Sequence, residues 1–438
     1  MKWLKKHPKL FFDFMLFLVF FIISFFFACV LSPTPTWGDQ VWSYGFSYQI
    51  SRGLIPYRDF NMVQTPLYFM IASIFITIFG NHMISTCLFD AFLLSCLGFL
   101  FYKMIGWKGL FPFLFFFVVP IAPYNLLCLV LFVLILYLVD KKQDHDYVIP
   151  FIVGLIFLTK QNIGVLLFLP MFYFSKHKIQ STCVFLIPLF LLSIYLLWNH
   201  AFFSFIDYVF LGLFEFSGNF IADYKIVFCM IVCFLFVFYN WWKSHFQDKT
   251  AFYLLFFLFA LYPLFDIRHF SLVVIPILFY FMKVVHKKSW KISLCLVECI
   301  FFLIVSVSNI FMFQLHTEND LLYLKTPSSL ASYLTDIHDL VDGKIENVYF
   351  DSELSFLLKM YYKVPINELD FILDGNLGYY SKKKIYQKLE NTCQKRECIF
   401  LIQKRTSKES HFSGFVDYVK EHYSKVGEFR DLHIYSSK

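Results

Sequence analysis

Up to about residue 315 this chain is a succession of apolar runs, each able to cross a bilayer or a good part of one, and lysine marks most of the loops between them. A helix needs about 20 apolar residues to cross the hydrocarbon core, and a chain in lipid must satisfy its own backbone as helix or closed barrel. Only 16% of the 438 residues are charged while 59% are hydrophobic, well short of the roughly one-quarter charged content of soluble domains. With a mean hydropathy of +0.63, a soluble globular fold is excluded. The solvent for most of this sequence is lipid.

The net charge of +7 would suggest a nucleic-acid partner if the basic residues shared one face. They fall instead in short runs between apolar segments, the pattern that orients a membrane protein, so no nucleic acid is expected. Of the 11 cysteines, Cys29, Cys87, Cys96, Cys128, Cys183, Cys229, Cys233, Cys295 and Cys299 lie inside apolar segments and read as small hydrophobes. No metal-ligand spacing is present.

The basic N-terminus before the run ending near Leu31 resembles a signal peptide, but the run has the length of a span, and no small-x-small cleavage site follows it. It is expected to be the first transmembrane helix, with its basic end inside. Placing the lysine-rich loops in the cytoplasm requires about eleven spans, near 10–31, 83–104, 108–122, 125–139, 147–159, 163–175, 180–198, 224–242, 251–264, 270–285 and 291–313. Sixteen Lys and no Arg of residues 1–315 then lie inside, including Lys287, Lys288 and Lys291, and only Arg52, Arg58, Lys160, Lys225 and Arg268 lie outside. The apolar stretch Pro66 to Gly80 is short, and reading it as a span would invert every later loop; it is expected to lie in the interface or to re-enter.

An odd number of spans puts the C-terminus outside. Residues 316–438 are rich in Lys, Asp, Glu, Ser and Tyr, and their apolar runs shrink to strand length. The expected division is a multi-span domain over 1–315, with a long first external loop at 32–82, and a small soluble extracytoplasmic α/β domain over 316–438. Strands are expected at Asn347–Phe350, Phe371–Leu373, Cys398–Ile402 and Leu432–Tyr435, and helices over 352–362, 381–391 and 410–423. Cys393 and Cys398 are the tail's cysteines, paired or as two free thiols.

In this topology the informative polar residues of the bundle face outward. Asp39 starts an amphipathic interfacial helix ending at Gly53; it is either a helix cap or a carboxylate at the membrane surface that takes a proton from an attacking hydroxyl or binds a divalent cation. Arg58-Asp59 reads either as a local ion pair or as part of a site. The other external turns hold Tyr124-Asn125, Lys160-Gln161-Asn162 and Asp266-Ile267-Arg268-His269. Lys160 and Arg268 interrupt apolar helices where a cation is costly unless paired; they either snorkel to the surface or bind a lipid phosphate, Arg as a bidentate fork and Lys as a point charge. Asp13 and Asp90 read as paired within the bundle or at its edge, and Glu298 has no assigned role. Trp37, Trp42 and Tyr57 either stack on sugars or anchor in the headgroups.

These residues carry a family resemblance. An acidic residue just beyond the first span, the stretch Gly53-x-x-Pro56-Tyr57-x-Asp59-Phe60, and Pro66-Leu67 before an apolar segment ending Phe79-Gly80 together resemble the GT-C superfamily. This is the superfamily of polyprenyl-phosphate-sugar glycosyltransferases that includes protein O-mannosyltransferases and the aminoarabinose transferase. Thr159-Lys160-Gln161 and the Arg268-His269…Pro276 segment are similar to its Thr-Lys turn and its late Arg-aromatic-Pro segment. The resemblance covers about 1–315. It implies that Asp39 is the catalytic acidic residue, that Arg58, Lys160 and Arg268 bind the donor phosphate, and that Tyr57, Asp59, Asn125, Gln161 and His269 position substrate. Many relatives have a second carboxylate where this chain has Tyr124-Asn125, so a metal is uncertain, with Asp39 as its ligand if there is one, and no other cofactor is implied.

The implied activity is transfer of a sugar from a polyprenyl-phosphate donor to an extracytoplasmic glycan, lipid or protein, at a bacterial cell membrane. The leaving phosphate needs its charge stabilised more than it needs a proton, and single displacement inverts the anomeric centre. A lipid-linked glycan polymerase or ligase is the nearer alternative, and a flippase or transporter the more distant one; the long loop directly after the first span and the lack of a clear repeat argue against each in turn.

Overall fold

The computed structural model describes residues 8–27, 38–115, 121–142, 146–216, 221–262, 264–265, 267–285, 314–315, 325–326, 328–352, 354–372, 376–404 and 413–438. The expected span 291–313 with Glu298, the lysines at 287, 288 and 291, and Trp37 and Asp266 lie outside these residues.

The described helices are α1 (Pro8–Phe26), α2 (Gly38–Ser51), α3 (Leu67–Phe79), α4 (Met83–Ile105), α5 (Leu110–Phe115), α6 (Pro123–Asp140), α7 (Val148–Phe157), α8 (Gln161–Phe174), α9 (Lys178–Trp198), α10 (Phe202–Ile206), α11 (Gly212–Phe216), α12 (Tyr224–Lys243), α13 (Lys249–Leu258), α14 (Ile267–Val284), α15 (Ser328–Leu340), α16 (Leu354–Tyr361), α17 (Lys382–Lys395) and α18 (Ser413–His422). Five helices among the described residues are long and apolar enough to cross a membrane: Pro8–Phe26, Met83–Phe115, Pro123–Asp140, Lys178–Trp198 and Tyr224–Lys243. Six further apolar helices are shorter, at 10–17 residues.

Contacts divide the chain into two compact units that do not follow its linear order. The first comprises Met1–Pro35, Ile84–Leu191 and Ile221–Gln314, and the second Thr36–Met83, Leu192–Phe220 and Leu315–Lys438. Residues 36–83, most of the expected first loop, and the tail thus belong to the same unit.

Apart from a two-residue parallel strand pair, Ile221–Ala222 with Leu264–Phe265, the described part of the first unit is helical. Local sequence sets its helix ends: Pro123 opens α6 after an extended Ala122, where its missing N–H costs nothing, and Asp248 caps α13 by accepting from the Ala251 amide at 3.2 Å. Rings fill the interior, with Phe132 stacked on Phe257 at 3.8 Å and Phe101 on Phe279 at 5.4 Å. At one end, ion pairs join helix termini: Lys283 to Asp140 at 2.6 Å and Lys103 to Asp13 at 2.6 Å. Asp146 there accepts from Ser175 Oγ and from the Lys176 and His177 amides. A cleft of about 480 Å³ opens between these groups, lined by Lys142, Lys176 and Lys249 beside Lys283, Asp140 and Asp248.

In the second unit, α2 packs on α3, and Phe46 sits among Phe60, Phe69, Phe356 and Phe371. Gly45 allows this approach, since a β-carbon there would lie 2.4 Å from the Phe356 ring. The tail forms a four-stranded sheet in the order β1-β2-β4-β3, from β1 (Val348–Phe350), β2 (Ile399–Gln403), β3 (Ser424–Phe429) and β4 (Leu432–Ser436). The first pair is parallel and the others antiparallel. Cys393 and Cys398 form a disulfide, with Cα atoms 5.2 Å apart.

Two details of the tail differ from expectation. Phe371 and Ile372 form no strand; the Phe371 carbonyl accepts from the side-chain amides of Asn61, at 3.2 Å, and Asn376, at 3.0 Å, and its ring joins the aromatic cluster. The apolar run there serves side-chain packing, so its backbone finds amide partners instead of a ladder. Helix α15 and strand β3 were not expected, the latter because its alternation is mostly polar and broken by a bulge between Lys425 and Gly427.

Candidate functional site

In the second unit, α2 begins at Gly38, one residue before the expected start, and Asp39 stands half-buried in its first turn. A carboxylate is favoured there by the unpaired N–H groups of the helix start. The helix ends in a reversal at Gly53, with φ of +83°, where the Leu54 amide returns to the Gln49 carbonyl at 3.1 Å.

The chain then makes the tight turn Ile55–Asp59. The Asp59 carboxylate accepts from the Ile55 amide at 2.7 Å, and the Asp59 amide donates to the Ile55 carbonyl at 2.9 Å. Arg58 lays a two-pronged contact on the same carboxylate, Nε at 2.8 Å and Nη2 at 2.9 Å. Hydrogen bonding from Arg58 holds the Asp59 carboxyl below the usual carboxylate range. The fork uses two of the five guanidinium N–H donors, and with 43% of the Arg58 side chain exposed, three remain for another anion.

Tyr57 adopts φ of +68°, a left-handed conformation that is sterically costly for a bulky side chain. It is fixed by its amide donating to the Phe60 carbonyl at 2.9 Å and by its buried hydroxyl donating to the Gln64 carbonyl at 2.7 Å. Burial pushes the phenol well above its ordinary pKa. Backbone strain of this kind, held by surrounding bonds, is concentrated at functional sites.

In the first unit, α7 and α8 meet at the Thr159-Lys160-Gln161 turn. The junction is tight: a β-carbon on Gly164 would lie 2.4 Å from the Phe157 backbone. Lys160, in extended conformation before α8, donates to Asn125 Oδ1 at 3.0 Å and lies over the Tyr124 ring at 5.8 Å. Asn125 is buried in the first turn of α6, and its Nδ2 has no partner among the described residues. From the same turn, Asn162 Nδ2 donates to the Tyr262 carbonyl at 3.3 Å, just ahead of α14. Gln161 is the first residue of α8, and His269 stands half-buried in the first turn of α14. Arg268 shares that turn, with its side chain outside the described residues.

Three helices thus start at one end of the first unit, opposite the end where Lys283 meets Asp140. The positive ends of their dipoles gather where Lys160 adds a full charge, a setting suited to an anion. Among the described residues, no group of three or more His, Cys, Asp and Glu is arranged to hold a metal ion. Asp39, Tyr57, Arg58 and Asp59 belong to the second unit, and Asn125, Lys160, Gln161, Arg268 and His269 to the first.

Sequence reasoning missed the residues that tie the tail to the loops of its unit. The Asp207 carboxylate, on a π-helical turn after α10, accepts three amides, from Tyr379 at 3.0 Å, Tyr380 at 2.9 Å and Ser381 at 2.9 Å. Asn61 joins the loop to Phe371 and to the Asn376 carbonyl. A carboxylate inside the apolar, Phe-rich run 202–214 was the available signal for Asp207.

No protein-family model matches the chain, and no curated protein is similar to it by sequence. Two solved structures of ArnT from Cupriavidus metallidurans are similar in fold. The one bound to undecaprenyl phosphate aligns with 99% of this chain and 98% of its own, with a TM-score of 0.57 at 10% identity. The apo one aligns with 97% of each, with a TM-score of 0.56 at 10% identity. The chain thus has an ArnT-like fold, in agreement with the GT-C resemblance read for about residues 1–315.

Proposed function

We propose that the protein is a membrane glycosyltransferase that moves a sugar from a polyprenyl-phosphate donor to an extracytoplasmic acceptor, a glycan, lipid or protein of the cell surface. The observation that carries this reading is the whole-chain likeness to ArnT, a protein seen bound to undecaprenyl phosphate. The helix starts gathered around Lys160 and the spare donors of Arg58 support it, because a phosphate leaving group needs fixed positive charge. Residues 1–315 form the multi-span domain, with about eleven spans and an inside N-terminus, and 316–438 an extracytoplasmic domain.

In this reading an acceptor hydroxyl attacks the anomeric carbon as its bond to the phosphate oxygen breaks. Asp39 takes the hydroxyl proton as general base, and the polyprenyl phosphate departs with its charge held by Arg58, Lys160 and Arg268. Attack from the face opposite the phosphate inverts the anomeric centre. Tyr57, Asp59, Asn125, Gln161 and His269 position substrate, Asp59 by orienting the Arg58 fork.

The test is transfer of radiolabelled sugar from a panel of polyprenyl-phosphate donors by purified protein and by D39N at matched folding. Wild-type transfer, with loss of about 10²-fold or more in D39N, is the expected result. Equal transfer by both reduces Asp39 to a helix-end charge. Absence of transfer across the panel, with labelled lipid or glycan crossing proteoliposome membranes, replaces the transferase by a transporter.

A further inference from the structure

The tail of the second unit carries a local charge that its composition as a whole does not. Residues 316–438 hold 17 Lys and Arg against 18 Asp and Glu, a net of −1, whereas 382–397 alone hold six against two, a net of +4. Lys382, Lys383 and Lys384 open α17, the last two exposed, while Ile385, Leu389 and Cys393 are buried. Immediately before them stand Tyr379 and Tyr380, both exposed, Tyr380 at 71%.

This turn is held at a defined place. Its three amides from Tyr379 to Ser381 converge on Asp207, and Gly378, with φ of +68°, leaves room for a carboxylate oxygen 2.4 Å from where a β-carbon would stand. Asp207 follows Phe203 by one helical turn, so the two lie within about 6 Å of each other. Phe203 is 81% exposed, and Trp198, at the end of the long apolar helix α9, is 84% exposed. Large aromatic side chains left outside at the end of an apolar helix belong at the boundary between hydrocarbon and headgroups. The Asp207 clamp therefore brings two exposed tyrosines and a run of lysines to the level of that boundary.

We propose that the turn Tyr379–Lys384 rests on the bilayer and binds anionic phospholipid headgroups, with Lys383 and Lys384 on the phosphates and the two tyrosine rings among the headgroups. The charge contrast within the tail and the position of the clamp favour a lipid surface over a soluble polyanion. The proposal is independent of the transfer chemistry, and none of these residues has been given a part in it.

The experiment places photoreactive benzoylphenylalanine at Tyr380 in the full chain. The protein is reconstituted in nanodiscs of equal phosphatidylglycerol and phosphatidylcholine, and lipid adducts are read by mass spectrometry. Phosphatidylglycerol adducts should exceed phosphatidylcholine adducts about fivefold, and K383Q/K384Q should bring the ratio towards one. The same probe at Val426, exposed on β3, is the control for chance collisions. The lysine variants leave the backbone clamp in place, and an unchanged thermal unfolding midpoint verifies their folding. Absence of lipid adducts at 380, adducts in the bulk lipid ratio, or a ratio indifferent to the lysines would each overturn the proposal. Protection of the turn by a soluble anionic polysaccharide without lipid adducts would overturn it in favour of a glycan.

Discussion

The second unit contains two ion pairs of contrasting kind. Lys359 and Asp370 face each other with both side chains fully buried. Lys359 also donates to the Glu346 carbonyl at 2.9 Å, and Asp370 accepts from Ser355 Oγ at 3.0 Å and from the Asn367 amide at 2.7 Å. Arg58 and Asp59 form a pair at 2.8 Å on an exposed turn, where the carboxylate is occupied and the guanidinium keeps donors to spare. In the first pair each charge is used up by the other and by its neighbours. In the second, the acid fixes the direction of the base, and part of the positive charge stays available. Proximity alone does not separate a closed ion pair from one open to a further anion; the count of donors left over does.

The largest effect should come from breaking the buried pair. K359M leaves Asp370 enclosed without its partner, as an unpaired charge or as a carboxyl forced to take up a proton, which costs about 3–5 kcal/mol and should appear as a large drop in the unfolding midpoint of purified protein. The double variant K359M/D370L should recover most of that loss, since an apolar replacement for both partners is often neutral. If K359M unfolds like wild type, the pair is not the closed unit described.

Next in size is the exposed pair. R58A should leave thermal stability within about 1 kcal/mol, as for surface pairs, while lowering kcat/KM for a polyprenyl-phosphate donor by about 10- to 100-fold, the worth of a charge-assisted contact. R58K keeps the charge without the fork and should recover only part of the activity. Equal activity of R58A and wild type would make Arg58 a turn residue and nothing more.

The smallest effect concerns pH. Because Arg58 lowers the Asp59 pKa, the stabilisation from this pair is present above the unfolded carboxylate value of about 3.9 and is lost only as pH falls through the lower folded value. Unfolding midpoints of wild type and D59N should therefore differ by a constant amount from pH 8 to about 5 and converge at more acid pH. Convergence already at neutral pH would show that the pair does not form in solution.

Much of the helical architecture was legible because hydropathy and lysine spacing report directly on helices in lipid. The Thr159-Lys160-Gln161 turn lies between α7 and α8 as expected, and Arg58-Asp59 forms the local ion pair that was one of its two readings. The association of the first loop with the tail was not legible. It rests on Trp42 and Phe46 against Phe356 and Phe371 and on the Asn61 side-chain amide at the Phe371 and Asn376 carbonyls, and a backbone carbonyl leaves no trace in residue type. Phe371 misled for a related reason: apolar residues in a row fit a strand and a packed loop equally well.

The clamp on Asp207 and the amide of Asn61 also set an order on biosynthesis. Asp207 waits for residues 172 to 174 positions downstream, and Asn61 for a carbonyl 310 positions away. During translation the first loop is among the earliest parts of the chain to be made, yet its packing partners are among the last. The first loop can therefore reach its described packing only after residues 356–376 have been made.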